Sequence, residues 1–217
     1  MPSQPSQFEP LPGGGAAVAL DEVEISIIRS LAVQLLELIG PGPGAEGPAG
    51  DPPPLSAAFE RGDPLAELFA EGPSEPPADP VLLRLLPDAY GGPGSERAAA
   101  AEADELRAYS AEFRRFTEND LRAKKREDAL TVIRSLDSTT ASGDGGAVLK
   151  LTAEESRQWL GALNDLRLAI GTRLEVTDEE DADLLYHLPD ADPRKPMVMA
   201  YLWLGGLQET LVGTLMG

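Results

Sequence analysis

The chain contains no cysteine in 217 residues. That excludes disulfides, thiolate nucleophiles, thiolate metal sites and direct thiol redox sensing within it. Histidine is nearly as scarce, with one residue, His187. A lone imidazole builds a zinc site only with carboxylate help, and a serine triad would have to rely on it alone. No GxSxG elbow accompanies it, so His187 reads as a loop residue and the chain as a non-enzyme. Basic residues are outnumbered, 18 against 37 acidic, giving a net charge of -19. The average surface therefore repels phosphate backbones and anionic lipid, and any nucleic-acid contact must be local. Apolar runs are broken well before the ~20 residues of a membrane span. Residues 1–7 are rich in Pro, Ser and Gln and lack the basic and apolar regions of a signal peptide, so the expected location is the cytoplasm.

Glycine and proline are plentiful, at 22 and 20 residues. A compact helical domain has little use for so many, which places them in loops. The expected organisation is a tail over residues 1–15 and a single helical domain over 16–217, with flexible loops at 40–54, 72–80 and 139–146. GGG at 13–15 and GDGG at 143–146 lack the strand, lysine and partner acid of a phosphate-binding loop and read as turns.

Two segments share a plan. Residues 16–20 (AAVAL) lead into DEVEISIIRSLAVQLLELIG, where Asp21 and Glu24 have capping-box spacing and Val23, Ile27, Ile28, Leu31, Leu35 and Leu38 recur at helical intervals. Residues 147–151 (AVLKL) lead into TAEESRQWLGALNDLRLAIG, with Thr152 and Glu155 as the box and Trp159, Leu160, Leu163, Leu166 and Ile170 on one side. They align at an offset of 131 residues. Two strands paired as a small ribbon, with their helices packed together, would explain the match; chance likeness between two amphipathic helices is the alternative.

Two pieces, PLAELFA at 64–70 and PVLLRLLP at 80–87, place proline where a first helical turn tolerates it and predict one or two helical turns each. Residues 95–136 contain no proline or glycine and predict one long helix or two joined without a breaker, with apolar points at Leu106, Tyr109, Phe113, Phe116, Leu121, Leu130 and Ile133. The last run starts at Pro196 and offers Val198, Leu202, Leu207, Leu211 and Leu215 to a core. The predicted class is mainly α, an orthogonal or bundle-like helical domain with at most two short β-strands and long Pro/Gly-rich loops.

Three charged clusters qualify as sites. Arg114, Arg115, Arg122, Lys124, Lys125 and Arg126 form the one basic stretch; interleaved acids such as Glu118 and Asp120 fit a self-neutralised helix face, and a DNA- or RNA-contacting helix is the competing reading. In LNDLRLAIGTRL, Asn164, Asp165, Arg167 and Arg173 sit among apolar residues. Charges there are costly unless paired. Either they form a structural network, with Asp165 or Asp88 engaging Arg167 or Arg115, or they form a patch for a partner. The acid run TDEEDAD at 177–183 lacks EF-hand spacing and fits a helix start, where acids meet the positive end of the dipole.

Several phrases in order, namely Asp79-Pro80, RLLPDAY at 84–90, AEFRRFTENDLRAKK at 111–125, WLGALNDLRLAIGTRL at 159–174 and YLWLGGLQETLV at 201–212, resemble the domain-of-unknown-function 2017 family of high-GC bacteria. Its named branch is the AosR-type oxidative-stress transcriptional regulators. The resemblance implies a regulator-like helical protein that binds a protein partner, with a sigma factor or RNA polymerase as candidates and DNA as a further one. Regulation in that branch is associated with a redox cysteine pair, which this chain lacks, so no sensor residue carries over. No cofactor or metal is implied, and no membrane. The rival expectation is an adaptor that assembles, for example as a homodimer, through Tyr201, Trp203 and Leu207.

Overall fold

The computed structural model describes residues 6–40, 72–91, 100–139, 146–178, 181 and 185–216. All of the loop expected at 40–54 after Gly40, the helical turns expected at 64–70 and most of the 139–146 loop lie outside the described residues.

The two units match as the offset suggests. Strand β2 (Ala16–Asp21) pairs antiparallel with β3 (Gly146–Leu151), with Ala16 opposite Leu151 and Asp21 opposite Gly146. Val18 and Leu149, equivalent at the offset of 131, are partners in this register. The repeat is therefore related by an approximate twofold through that pair. Each strand alternates, burying Ala16, Val18 and Leu20 on one side and Ala147, Leu149 and Leu151 on the other strand. Each then turns directly into a helix, α1 (Glu22–Ile39) and α4 (Ala153–Arg173).

Both caps are reciprocal. The Glu24 amide donates to Asp21 at 2.8 Å while the Asp21 amide donates to the Glu24 carboxylate at 2.9 Å. At the second unit the corresponding distances are 3.2 Å to Thr152 Oγ1 and 2.8 Å to Glu155. Each cap satisfies donors that a helix start leaves open.

A third strand, β1 (Phe8–Pro10), lies on the far side of β2, within the stretch read as a tail. Three residues carry too little alternation to announce a strand. What holds it is Phe8, buried edge-on against Trp159 at 5.9 Å, its amide donating to Thr210 Oγ1 at 3.1 Å. Between β1 and β2, Gly13, Gly14 and Gly15 all have positive φ, so the GGG tract is the turn.

Helix α2 (Pro80–Leu85) starts at an Asp79 cap and docks on α4. Helix α3 (Ala100–Asp137) packs on α1 and α4, and α5 (Lys195–Met216) packs on α4 and β1. The core centres on Trp159, fully buried, whose indole N–H donates to Ser135 Oγ at 2.9 Å. Ile28, Leu163, Leu204 and Leu211 surround the same core. Each such side chain contributes roughly 1.5–3 kcal/mol by leaving water. The body is mainly α, as the sequence predicts, with one small antiparallel sheet.

Candidate functional site

The basic stretch lies on α3, and its core-facing stripe is ionic. Ser110, Arg114, Glu118 and Asp128 are buried, while Tyr109, Phe113, Phe116 and Leu121, expected as apolar core points, are exposed. Arg114 pairs with Glu118, with Asp88 at 2.8 Å and with the Leu86 carbonyl at 3.0 Å. Burial works against its charge, but the hydrogen bonds it donates to Asp88 and Glu118 outweigh it and hold the guanidinium above its ordinary pKa. Arg122 completes the group, donating to Glu118 and to the Ile39 carbonyl at 2.7 Å. Arg126 donates to the Gly40 carbonyl.

These last two contacts have a structural cause. Helix α1 has no basic residue in its last turn, and its open carbonyls form the negative end of the dipole. Arg122 and Arg126, one turn apart on α3, supply the missing cations from outside. Lys125 pairs with the buried Asp165 at 2.6 Å, and the exposed Lys124 pairs with the buried Asp128. Burial pushes both carboxyls above the usual range, and the lysines partly offset it. Arg115 is half-buried, with its guanidinium over the Phe116 ring at 5.4 Å. Of the interleaved acids, Glu118 pairs with Arg122 one turn on, whereas Lys124 takes Asp128 in place of Asp120.

On the outer side of α3, Tyr109, Phe113 and Phe116 line up at helical spacing, and Tyr90 meets Tyr109 and Phe113 edge-on at 6.2 and 6.3 Å. All four are between 47% and 62% exposed. Such an aromatic cluster is the kind of surface that partner proteins bury.

The LNDLRLAIGTRL cluster separates into three parts. Asp165 engages Lys125, with Asn164 beside it on the surface, so the expected pairing of Asp165 or Asp88 with Arg167 or Arg115 does not form. Arg173 is exposed in the last turn of α4, beside Leu31, Gln34 and Leu38 of α1. Arg167 points to α5. Its Nη1 donates to Gln208 at 2.6 Å and its guanidinium lies 5.0 Å from the centre of the Tyr201 ring. A Cβ on Gly205 would come within 3.4 Å of its Nε. Tyr201, Gly205 and Gln208 are spaced by four and three residues, one face of α5, and form a cradle for the cation.

A cleft of about 360 Å³ opens beside this cradle, lined by Arg84, Arg167, Gly171, Thr172, Asp178 and Tyr201 among others. Its wall is set by how α4 ends. The Val176 amide donates to the Gly171 carbonyl at 2.9 Å and the Glu175 amide to Thr172 at 3.2 Å, a Schellman motif with Glu175 at φ 60° where glycine is usual. Arg84, Gly205 and Gln208 went unnamed as site residues at the sequence level, and Tyr201 was named only as an assembly anchor; the i, i+4, i+7 spacing in YLWLGGLQ was the available signal. His187 lies in an exposed turn against Tyr186, and the acid run at 177–183 lies partly outside the described residues. There, Thr177 donates to Asp181 at 2.6 Å.

Among the described residues no helix is long and apolar enough to cross a membrane. The fold and its surfaces define a mainly helical protein with an ionic spine, an exposed aromatic face and one cationic cleft. The chain belongs to the family described as "Domain of unknown function (DUF2017)", whose model matches residues 5–215. It is similar to the "Oxidative stress regulator AosR" of Mycobacterium bovis and of Mycobacterium tuberculosis, 33% identical to each over 157 residues, which is 71% of this chain and 67% of each relative. These names support a regulatory role. No solved structure matches the chain.

Proposed function

We propose that the chain is a non-enzymatic regulatory protein of the transcription apparatus that acts through protein contacts, with a sigma factor or RNA polymerase as partner. The observation that carries this reading is the inversion of α3: Arg114, Arg122, Lys125 and Arg126 are turned inward onto carboxylates and helix-end carbonyls, and the aromatics outward. DNA binding draws on several free cations for phosphate contacts, and this helix keeps few. Protein partners draw on exposed aromatic anchors, which it presents. The regulator names of the relatives agree with the role. Assembly through α5 has less support, because Leu207 is buried in the chain's own core.

Affinity purification from the native cell tests this against a Tyr109→Ser/Phe116→Ser variant. The expected result is retention of polymerase or a sigma factor by the wild type and its loss in the variant, with melting temperature unchanged. Equal retention by both, or DNA binding with a steep salt dependence and no polymerase component recovered, would overturn it.

A further inference from the structure

We propose that the cleft between α2, the end of α4 and α5 binds a small organic anion, a carboxylate or phosphate ester carrying an apolar body. This does not rest on the partner proposed above.

Charge balance is the first argument. Seven other arginines among the described residues each have a carboxylate within ion-pair distance. Among the described residues Arg84, Arg126, Arg167 and Arg173 have none; Arg126 is taken up by the carbonyls at the end of α1, whereas Arg84 and Arg167 line this one cleft together. In a chain of net charge -19, where acids outnumber bases two to one, two cations left without counter-ions at one place are set up for an anion from outside.

Preorganisation is the second. Arg167 is held by Gln208, Tyr201 and the bare backbone of Gly205, yet its Nε is buried without an acceptor. An unpaired donor of a charged group is costly, and neutral partners alone leave that cost in place. A bound anion would offset the guanidinium charge through its outer edge and supply the counter-charge that its neutral partners do not. The hydroxyl protons of Thr172 and Thr177 are already donated, to the Leu168 carbonyl and to Asp181. The charged donors lining the cleft are the two guanidiniums, which favour acceptor-only groups.

Shape supplies the apolar body. A second groove of about 350 Å³ shares Arg84 and Thr172 with the cleft and runs along Pro80, Leu83 and Pro87. Together they reach the size of metabolite sites. An anionic head between Arg84 and Arg167 would place an attached hydrocarbon or ring against these prolines and Leu83. Asp178, which also lines the cleft, and Asp88 in the groove disfavour a second anion, which restricts the ligand to one charged end.

Calorimetric titration of the full chain with phenyl phosphate, hexanoate and inorganic phosphate tests the assignment. Saturable binding of phenyl phosphate or hexanoate is expected, tighter than that of inorganic phosphate; whichever of the two binds more tightly identifies the head group. Arg84→Gln, at an exposed position with no protein partner to lose, should weaken binding about tenfold or more, while Arg157→Gln on the outer side of α4 should not. No saturable heat with any of the three probes at millimolar concentration, or equal affinity in wild type and Arg84→Gln, would overturn the proposal.

Discussion

Arg114 and Glu118, one turn apart on α3, form a buried ion pair on the side of the helix opposite the exposed Phe116 ring. Glu118 also receives Arg122, so one carboxylate serves two guanidiniums. Removing it would leave both cations short of a counter-charge in a desolvated place. Glu118→Ala should cost about 3–5 kcal/mol, whereas Phe116→Ser should stay within about 0.5 kcal/mol. Urea unfolding of the two variants checks this, and a larger loss for the phenylalanine would mean that α3 buries its other side.

The twin capping boxes should behave as equivalents. Asp21→Ala and Thr152→Ala each remove a side-chain acceptor from a first-turn amide and should each cost about 1 kcal/mol. The two changes sit at the starts of different helices, so the double variant should show close to the sum. Chemical denaturation of the three proteins measures it; a cap whose loss costs nothing would not be holding its helix.

Asp128 gives a pH signature. Burial raises its pKa above the ordinary carboxyl value, so the folded protein holds that proton more tightly than the unfolded chain. Its contribution to stability is then fully present below the ordinary carboxyl value and is lost as pH rises through the raised value. Asp137, Asp181 and Asp192 are shifted the opposite way, and comparison within one background cancels them. The melting temperature of Asp128→Asn should therefore fall relative to wild type as pH drops from neutral towards 4. A difference that is flat or slopes the other way would show that Lys124 outweighs burial.

Glu175 occupies a backbone region that favours glycine. Glu175→Gly should stabilise the end of α4 by up to about 1 kcal/mol, relief of the left-handed conformation being partly offset by the entropy of glycine in the unfolded chain. Thermal unfolding reads the shift. A clear loss of stability would mean that the glutamate side chain holds the turn by contacts of its own.

Local signals in the sequence carried the capped helices, the strand–cap–helix repeat and the end of α1, because caps, glycines and apolar spacing act over a few residues. The register of the ribbon is compatible with the repeat but is not chosen by it: of the equivalent pairs, folding sets Val18 opposite Leu149. Faces were legible only where the stripe was unambiguous. On α4, Trp159, Leu163, Leu166 and Ile170 are buried as the spacing predicts, but on α1 Val23 and Ile27 are exposed and Ala32 and Ile39 take their place.

What tertiary structure alone decided is which side of α3 turns inward, and with it the surface that can meet a partner. Periodicity ranks aromatics as core and arginines as surface, because it prices each residue as if it were isolated from its neighbours. The open carbonyls of α1, Asp88 beyond α2 and Asp165 on α4 come from segments distant in sequence. Only when folding brings them against α3 does burying its charges become cheaper than burying its rings. The same holds for Arg167, whose cradle on α5 and whose neighbour Arg84 meet it only in three dimensions.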